Sequence, residues 1–252
     1  MNYRRITFAA AAILCAADGM TPACAEEPRA VIELFTSQGC SSCPAADKLL
    51  GELARDPSLV TMSLAVDYWD YLGWKDTLAL HGHSNRERAY AGARGDRVVY
   101  TPQVVVNGVV QALGSDKAAI EHAIDETQKT ATPLILPVTM SVSNAIVTVT
   151  VPSAKDDRRS AEVWLCPITA TKPVSIGRGE NSGHTLTYFN VVRRWVKLGD
   201  WKGEAATFRI ALADLPNDTY SLDEIDRLSV LVQSGVAAKP GVVLGAATVS
   251  LH

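Results

Sequence analysis

The stretch Ala30–Tyr68, AVIELFTSQGCSSCPAADKLLGELARDPSLVTMSLAVDY, decides how the first half of the chain is built. AVIELF is a short apolar run of strand length. CPAADKLLGELARD carries Leu49, Leu50 and Leu53 at helical spacing before Pro57 stops the helix, and SLVTMSLAVDY is a second strand. Strand, helix and strand within so few residues predict a right-handed unit with two parallel strands. Between the first strand and the helix sits TSQGCSSCPAAD, with Cys40 and Cys43 two residues apart. That spacing suits a redox pair, half of a metal site or a structural disulfide.

Working outward, VVYTPQVVVNGVVQAL predicts two strands joined at Asn107–Gly108, a dipeptide suited to a tight hairpin. SDKAAIEHAIDETQK is an amphipathic helix with Ser115 as its expected cap, and the region Asp67–Arg97 looks partly helical. From Thr132 onward the apolar period changes to two. ILPVTMSVSNAIVTVTV, AEVWLCPITA, HTLTYFNVVRRWVKLG, AATFRIAL, LSVLVQSG and GVVLGAATVSL alternate like strands between turn-rich segments. The expected fold is therefore an α/β thioredoxin-like domain over residues 26–131, followed by an all-β sandwich-like domain over 132–252, with Pro133 and Pro137 near the boundary.

Composition narrows the function classes. The chain has 252 residues, 47% hydrophobic and 20% charged, as expected of a globular protein. Arg4 and Arg5, an apolar run from Ile6 to about Ala17 and the small-residue site Ala23-Cys24-Ala25 predict a signal peptide over residues 1–25. That run is too short for a membrane-spanning helix, and no later segment is apolar enough to be one, so no stable membrane span is expected after cleavage. Lipid attachment at Cys15 or Cys24 fits poorly, because ADGMTPAC lacks a compact apolar lead-in. A periplasmic or secreted location follows. Cleavage leaves Cys40, Cys43 and Cys166 in a compartment that does not keep thiols reduced. A net charge of -3 with no basic run argues against a nucleic-acid partner.

Topology gives the pair a neighbourhood. Cys40 leaves the carboxyl end of the first strand, Asp67 follows the second, and Thr101 and Pro102 open the first hairpin strand at the same sheet edge. A cysteine at a helix start meets unpaired amides that favour its thiolate, which is the attacking species in disulfide exchange. On this reading Cys40 attacks, Cys43 resolves, and Thr101 and Pro102, with a cis bond between them, hold the partner chain. Glu33, seven residues before Cys40, is the candidate buried proton acceptor, against the alternative of a solvated or paired strand carboxylate. DYWDYLGWKD groups Tyr68, Trp69, Tyr71 and Trp74 either as packing under a loop or as a groove wall, with Asp67 and Trp69 the expected substrate contacts.

Together, ELFTSQGCSSCPAAD, VDYWDYLGWKD, YTPQVVVNG, RGENSGHTLTYFNVVR, VLVQSG and GVVLGAA make the chain resemble a bacterial family of secreted proteins catalogued as a domain of unknown function. The resemblance spans nearly all of the mature chain and implies a thioredoxin-like amino-terminal part with thiol chemistry. Against thioredoxins proper, Ser41-Ser42 replaces Gly-Pro between the cysteines, and Gly39 stands where a tryptophan precedes them.

The expected activity is an exported thiol-disulfide oxidoreductase without a cofactor. Its partners would be protein or small-molecule thiols and disulfides, plus a second partner that recharges the pair. The alternatives are a noncatalytic binding module with a structural disulfide, and a copper-handling protein using His81 and His83 beside the cysteines. Cys166 is expected to be a buried, inert thiol. Arg178, Glu180 and Asn181 form a polar turn, either plain loop punctuation or a docking element against the first half.

Overall fold

The computed structural model describes residues 27–154, 160–217 and 220–251; the expected signal segment, with Cys15 and Cys24, lies outside the described residues. β1 (Ala30–Thr36), α1 (Cys43–Leu53) and β2 (Leu59–Ala65) form the expected unit, the strands pairing in parallel from Ala30 opposite Leu59 to Thr36 opposite Ala65. Every residue of both strands is buried. Parallel strands need cover on both faces, and their continuous apolar runs supply it. Ile32 and Leu34 meet Leu49, Leu50 and Leu53 of α1 on one side, while Phe35, Val60, Met62 and Leu64 form a second cluster on the other.

α2 (His81–Arg94) brings Tyr90 into that second cluster. β3 (Gln103–Val106) lies antiparallel to β1, turns at Asn107–Gly108 and returns as β4 (Val110–Leu113). Both turn residues have positive φ, 50° and 79°. The Asn107 side chain adds a lock: its Oδ1 accepts from Val31 N, and its Nδ2 donates to Thr127 Oγ1, each at 2.8 Å. α3 (Lys117–Thr130) covers the hairpin. Its cap is Asp116, which accepts from Ala119 N, rather than the expected Ser115.

The second half contributes β5 (Thr139–Ser143), β6 (Ile146–Val151), β7 (Ala161–Ser175), β8 (Thr185–Val192), β9 (Val196–Trp201), β10 (Ala206–Ala211), β11 (Arg227–Val236) and β12 (Lys239–Ser250). Its arrangement overturns the expected fold class of a thioredoxin-like α/β domain followed by a separate all-β sandwich. Strands of both halves join one mixed sheet of nine strands in the order β12-β11-β7-β8-β2-β1-β3-β4, with β9 also on β7. Only three α-helices occur among the described residues. The joint is a parallel contact of β2 with β8 at Ser63 and Val191.

β7 makes the extension possible through its length. Ile168–Ser175 pairs with β8 and Ala161–Leu165 with β9 along the same edge, while β11 takes the other edge. A smaller sheet, β10-β6-β5, lays Val147, Val149 and Val151 against Val163, Leu165, Leu228 and Val230. The opposite face of the large sheet sends Cys166, Ile168, Leu231 and Val243 into the cluster of Phe35, Met62 and Tyr90, so the halves share that core. Period-two alternation marks each of these runs as a strand, but it carries no information on which strand lies beside it. Among the described residues no helix is long and apolar enough to cross a membrane.

Gly51 shows how tightly α1 sits on β8. A Cβ there would lie 2.5 Å from the Phe189 ring. In an open helix Gly→Ala gains up to about 1 kcal/mol from propensity; here overpacking reverses the sign. We expect Gly51→Ala to destabilise the protein by about 1–3 kcal/mol, seen as a lower urea midpoint at unchanged m-value.

Candidate active site

The loop from Ser37 to Ser42 leaves the carboxyl end of β1 and enters α1. Its turns are held by Cys40 N donating to Ser37 O and Cys43 N donating to Cys40 O, both at 3.2 Å, and by Gly39 N donating to Ser37 Oγ at 3.1 Å. Cys40 and Cys43 form a disulfide. α1 begins at Cys43 with Ser42 as its cap residue, so Cys40 lies in the turn ahead of the helix rather than at its first position. Gly39 has a steric reason: a Cβ there would stand 3.1 Å from Trp69 Cβ.

Segments far apart in sequence meet at this loop. Cys40 Sγ lies 3.8 Å from Thr101 O and 3.5 Å from Ser42 Oγ, and the Thr101–Pro102 peptide is cis. Trp69 Nε1 donates to Thr101 Oγ1 at 2.8 Å, and the Trp69 ring stacks on exposed Tyr71 at 6.5 Å. Asp67, in the loop after β2, is tied to the start of α2: its Oδ1 accepts from Ser84 Oγ, and its Oδ2 lies 2.8 Å from His81 Nδ1. These bonds hold its carboxyl below the ordinary carboxylate range against the opposing effect of burial. The pair itself is covered, with Cys40 1% and Cys43 0% exposed, although Ser41 and Ser42 are exposed.

Glu33 is placed differently from the expected proton acceptor. Both its oxygens are engaged by Arg86, and Oε1 also accepts from Tyr90 Oη, in a network that Gln233 completes through Arg86 and Tyr90. The carboxyl behind Cys43 is Asp47. It stands four residues on along α1, hence on the same helical face. Asp47 is buried, its Oδ1 accepts from Thr36 Oγ1 at 2.8 Å, and its Oδ2 has no partner. Burial pushes it up to about 8, opposed by the Thr36 hydrogen bond and reinforced by Asp76. Asp76, raised by burial to about 6, accepts from Gln38 N at 2.8 Å and so braces the same loop. A sequence signal for Asp47 existed: it shares the buried helix face with Cys43 and Leu50, where a carboxylate is out of place.

A second group came from the other half of the chain. The tip of the β7–β8 hairpin, residues 176–184, reaches the loop: Glu180 Oε2 accepts from Ser41 N at 3.0 Å, and Asn181 Nδ2 donates to Gln38 O and to Cys40 O, both at 2.9 Å. The polar turn is thus a docking element. Trp74 completes the contact, its Nε1 donating to Gln38 Oε1 at 2.8 Å and its ring lying 3.1 Å from where a Gly177 Cβ would stand.

The remaining candidates lie elsewhere. His83 is buried with Nδ1 2.9 Å from Ala65 O, and burial lowers it to about 4; His81 is exposed. No group of three or more metal-ligating side chains occurs among the described residues. Cys166 is buried in the shared core, which pushes its thiol well up.

A family model described as a protein of unknown function, DUF1223, matches residues 31–233, and the chain belongs to this family. A solved structure of a protein from Agrobacterium tumefaciens, a structural-genomics target, is similar to it with 28% identity and a TM-score of 0.76, covering 89% of this chain and 95% of that one. No curated protein sequence matches the chain significantly.

Asp47 makes stability depend on pH. Its folded pKa of about 8 lies above the unfolded value of roughly 3.9, so its contribution is complete below about pH 4 and is lost as pH rises through 8. Asp76 at about 6 and Glu87 at about 7 act in the same direction; His83 at about 4 acts oppositely, its contribution fading as pH falls from 6.5. Urea midpoints measured at pH 5 and pH 8 should fall more steeply in the wild type than in Asp47→Asn.

Proposed function

We propose that this protein is a thiol-disulfide oxidoreductase of the periplasm or exterior, working through Cys40 and Cys43. The observation that carries the reading is the buried, half-free carboxyl of Asp47 one turn behind Cys43. A structural staple has no use for a proton acceptor there, whereas a resolving thiol does, and a group titrating near neutrality can both take and return a proton.

In the reducing direction, the Cys40 thiolate attacks one sulfur of a client disulfide. A Cys40–client bond forms, the client disulfide breaks, and the departing client sulfur takes a proton. The Cys43 thiol then passes its proton to Asp47 and attacks the Cys40 sulfur. This expels the second client sulfur as a thiolate, which takes a proton from solvent, and leaves the Cys40–Cys43 disulfide, so the client gains the two electrons that the pair loses. A dithiol partner resets the pair by the same exchange. In the oxidising direction each step runs backward, and Asp47 returns its proton to Cys43. Thr101 O, 3.8 Å from Cys40 Sγ, marks the backbone beside which the client sulfur would sit. Attack requires local opening of the covered loop, an event proteins reach without global unfolding.

One observation favours a second reading: Cys40 at 1% exposure is as sealed as a structural disulfide in a binding module would be. Titration of the full mature chain against a glutathione series separates the two. Exchange predicts a midpoint above about -300 mV and accumulation of mixed disulfides on Cys43→Ala. It also predicts slowed resolution in Asp47→Asn. Resistance to reduction across the series, with no trapped client, would establish the staple instead.

A further inference from the structure

The contact of the hairpin tip with the cysteine loop has a directional charge. Asn181, 7% exposed, bonds the carbonyls of both Gln38 and Cys40, so a side chain about 140 residues away sets the backbone on either side of Gly39. Trp74 fills the space between the tip and Gln38. Held in this way, the Glu180 carboxylate accepts the Ser41 N–H at 3.0 Å. Ser41 directly follows Cys40 and lies two residues ahead of α1, so the bond puts the Glu180 carboxylate beside the cysteine turn.

We infer that Glu180 is a positioning residue that sets the redox poise of the pair: its carboxylate holds the Ser41 amide and puts negative charge beside Cys40, disfavouring the Cys40 thiolate and hence the reduced state. The inference rests on the exchange reading above. The Ser41 hydrogen bonds hold the Glu180 carboxyl below its ordinary range, so it is charged at neutral pH. The other ionisable groups against the loop are Asp76 on Gln38 N, Asp47 behind Cys43, and His184, whose Nδ1 lies 3.3 Å from Asn181 O. Asp47 stands behind Cys43 on the buried side, while Glu180 and Asp76 accept directly from amides of the loop. Of these two, Glu180 is the one on the exposed side, where a client approaches.

The test is the midpoint potential of the pair at pH 7 in the full mature chain, for wild type, Glu180→Gln, Glu180→Ala and Asn181→Ala. Glutamine keeps an acceptor for Ser41 N and removes only the charge, so it isolates the electrostatic effect. The expected result is a more oxidising pair in both Glu180 variants, by about fivefold in the exchange constant, or about 20 mV at the roughly 30 mV per decade of a two-electron couple. The shift should shrink in 1 M salt, where the screening length is about 3 Å. Asn181→Ala, which frees the tip, should move the potential in the same direction. A wild-type potential in Glu180→Gln, alone or together with Glu180→Ala, overturns the inference while leaving exchange standing. A wild-type pair that resists the whole glutathione series removes the exchange reading itself, and the inference with it.

Discussion

Arg86 is the joint on which the architecture turns. Its guanidinium lies almost wholly inside the protein, bonded to Glu33 on β1, to Tyr90 one turn further along α2 and to Gln233 on β11, with the Trp195 ring 4.0 Å away. Burial works against its charge, yet Glu33 outweighs that effect and its pKa is raised. Removing one partner of such a pair strands the other's charge, at a cost of about 3–5 kcal/mol. β1, α2 and β11 are thereby fixed together, and β1 in turn delivers the loop that carries Cys40. Glu33 therefore serves the site from a distance, as an architectural group.

The local elements of the first half are plain in its sequence because each has a local cause. Apolar runs of strand length, leucines at helical spacing and an Asn-Gly turn specify β1, α1, β2 and the β3–β4 hairpin without reference to the rest of the chain. The strands of the second half are equally visible, since alternation marks them singly. What alternation lacks is the identity of the neighbour. That β8 lies beside β2 rests on contacts between residues over a hundred positions apart, the parallel pair Ser63–Val191 and the bond from Asn190 Nδ2 to Thr61 Oγ1, and on β7 being long enough to serve β8 and β9 in turn. The separate sandwich expected for that half dissolves into the common sheet for this reason.

The site divides along the same line. Cys40, Thr101 and Trp69 converge as chain topology predicts, because each follows or precedes a strand whose direction is fixed. Sequence distance from Cys40 points to Glu33, which Arg86 and Tyr90 engage instead, whereas helical periodicity from Cys43 places Asp47 on the buried face behind it. Asn181 and Glu180 have no such local clue. Their role exists only once the hairpin between β7 and β8 has been brought across the sheet, and a polar Gly-rich turn looks the same in sequence whether it dangles or docks.

The narrow seam between β2 and β8 bears on how the chain comes to be made. Until residues 185–192 have emerged, the margin of β2, a mostly apolar strand, lacks its β8 neighbour and is open to pairing with another extended chain. A nascent protein halted before that point would be adhesive. Because β7, β8, β11 and β12 share one sheet with β1–β4, that sheet is complete only once the second half of the chain has arrived.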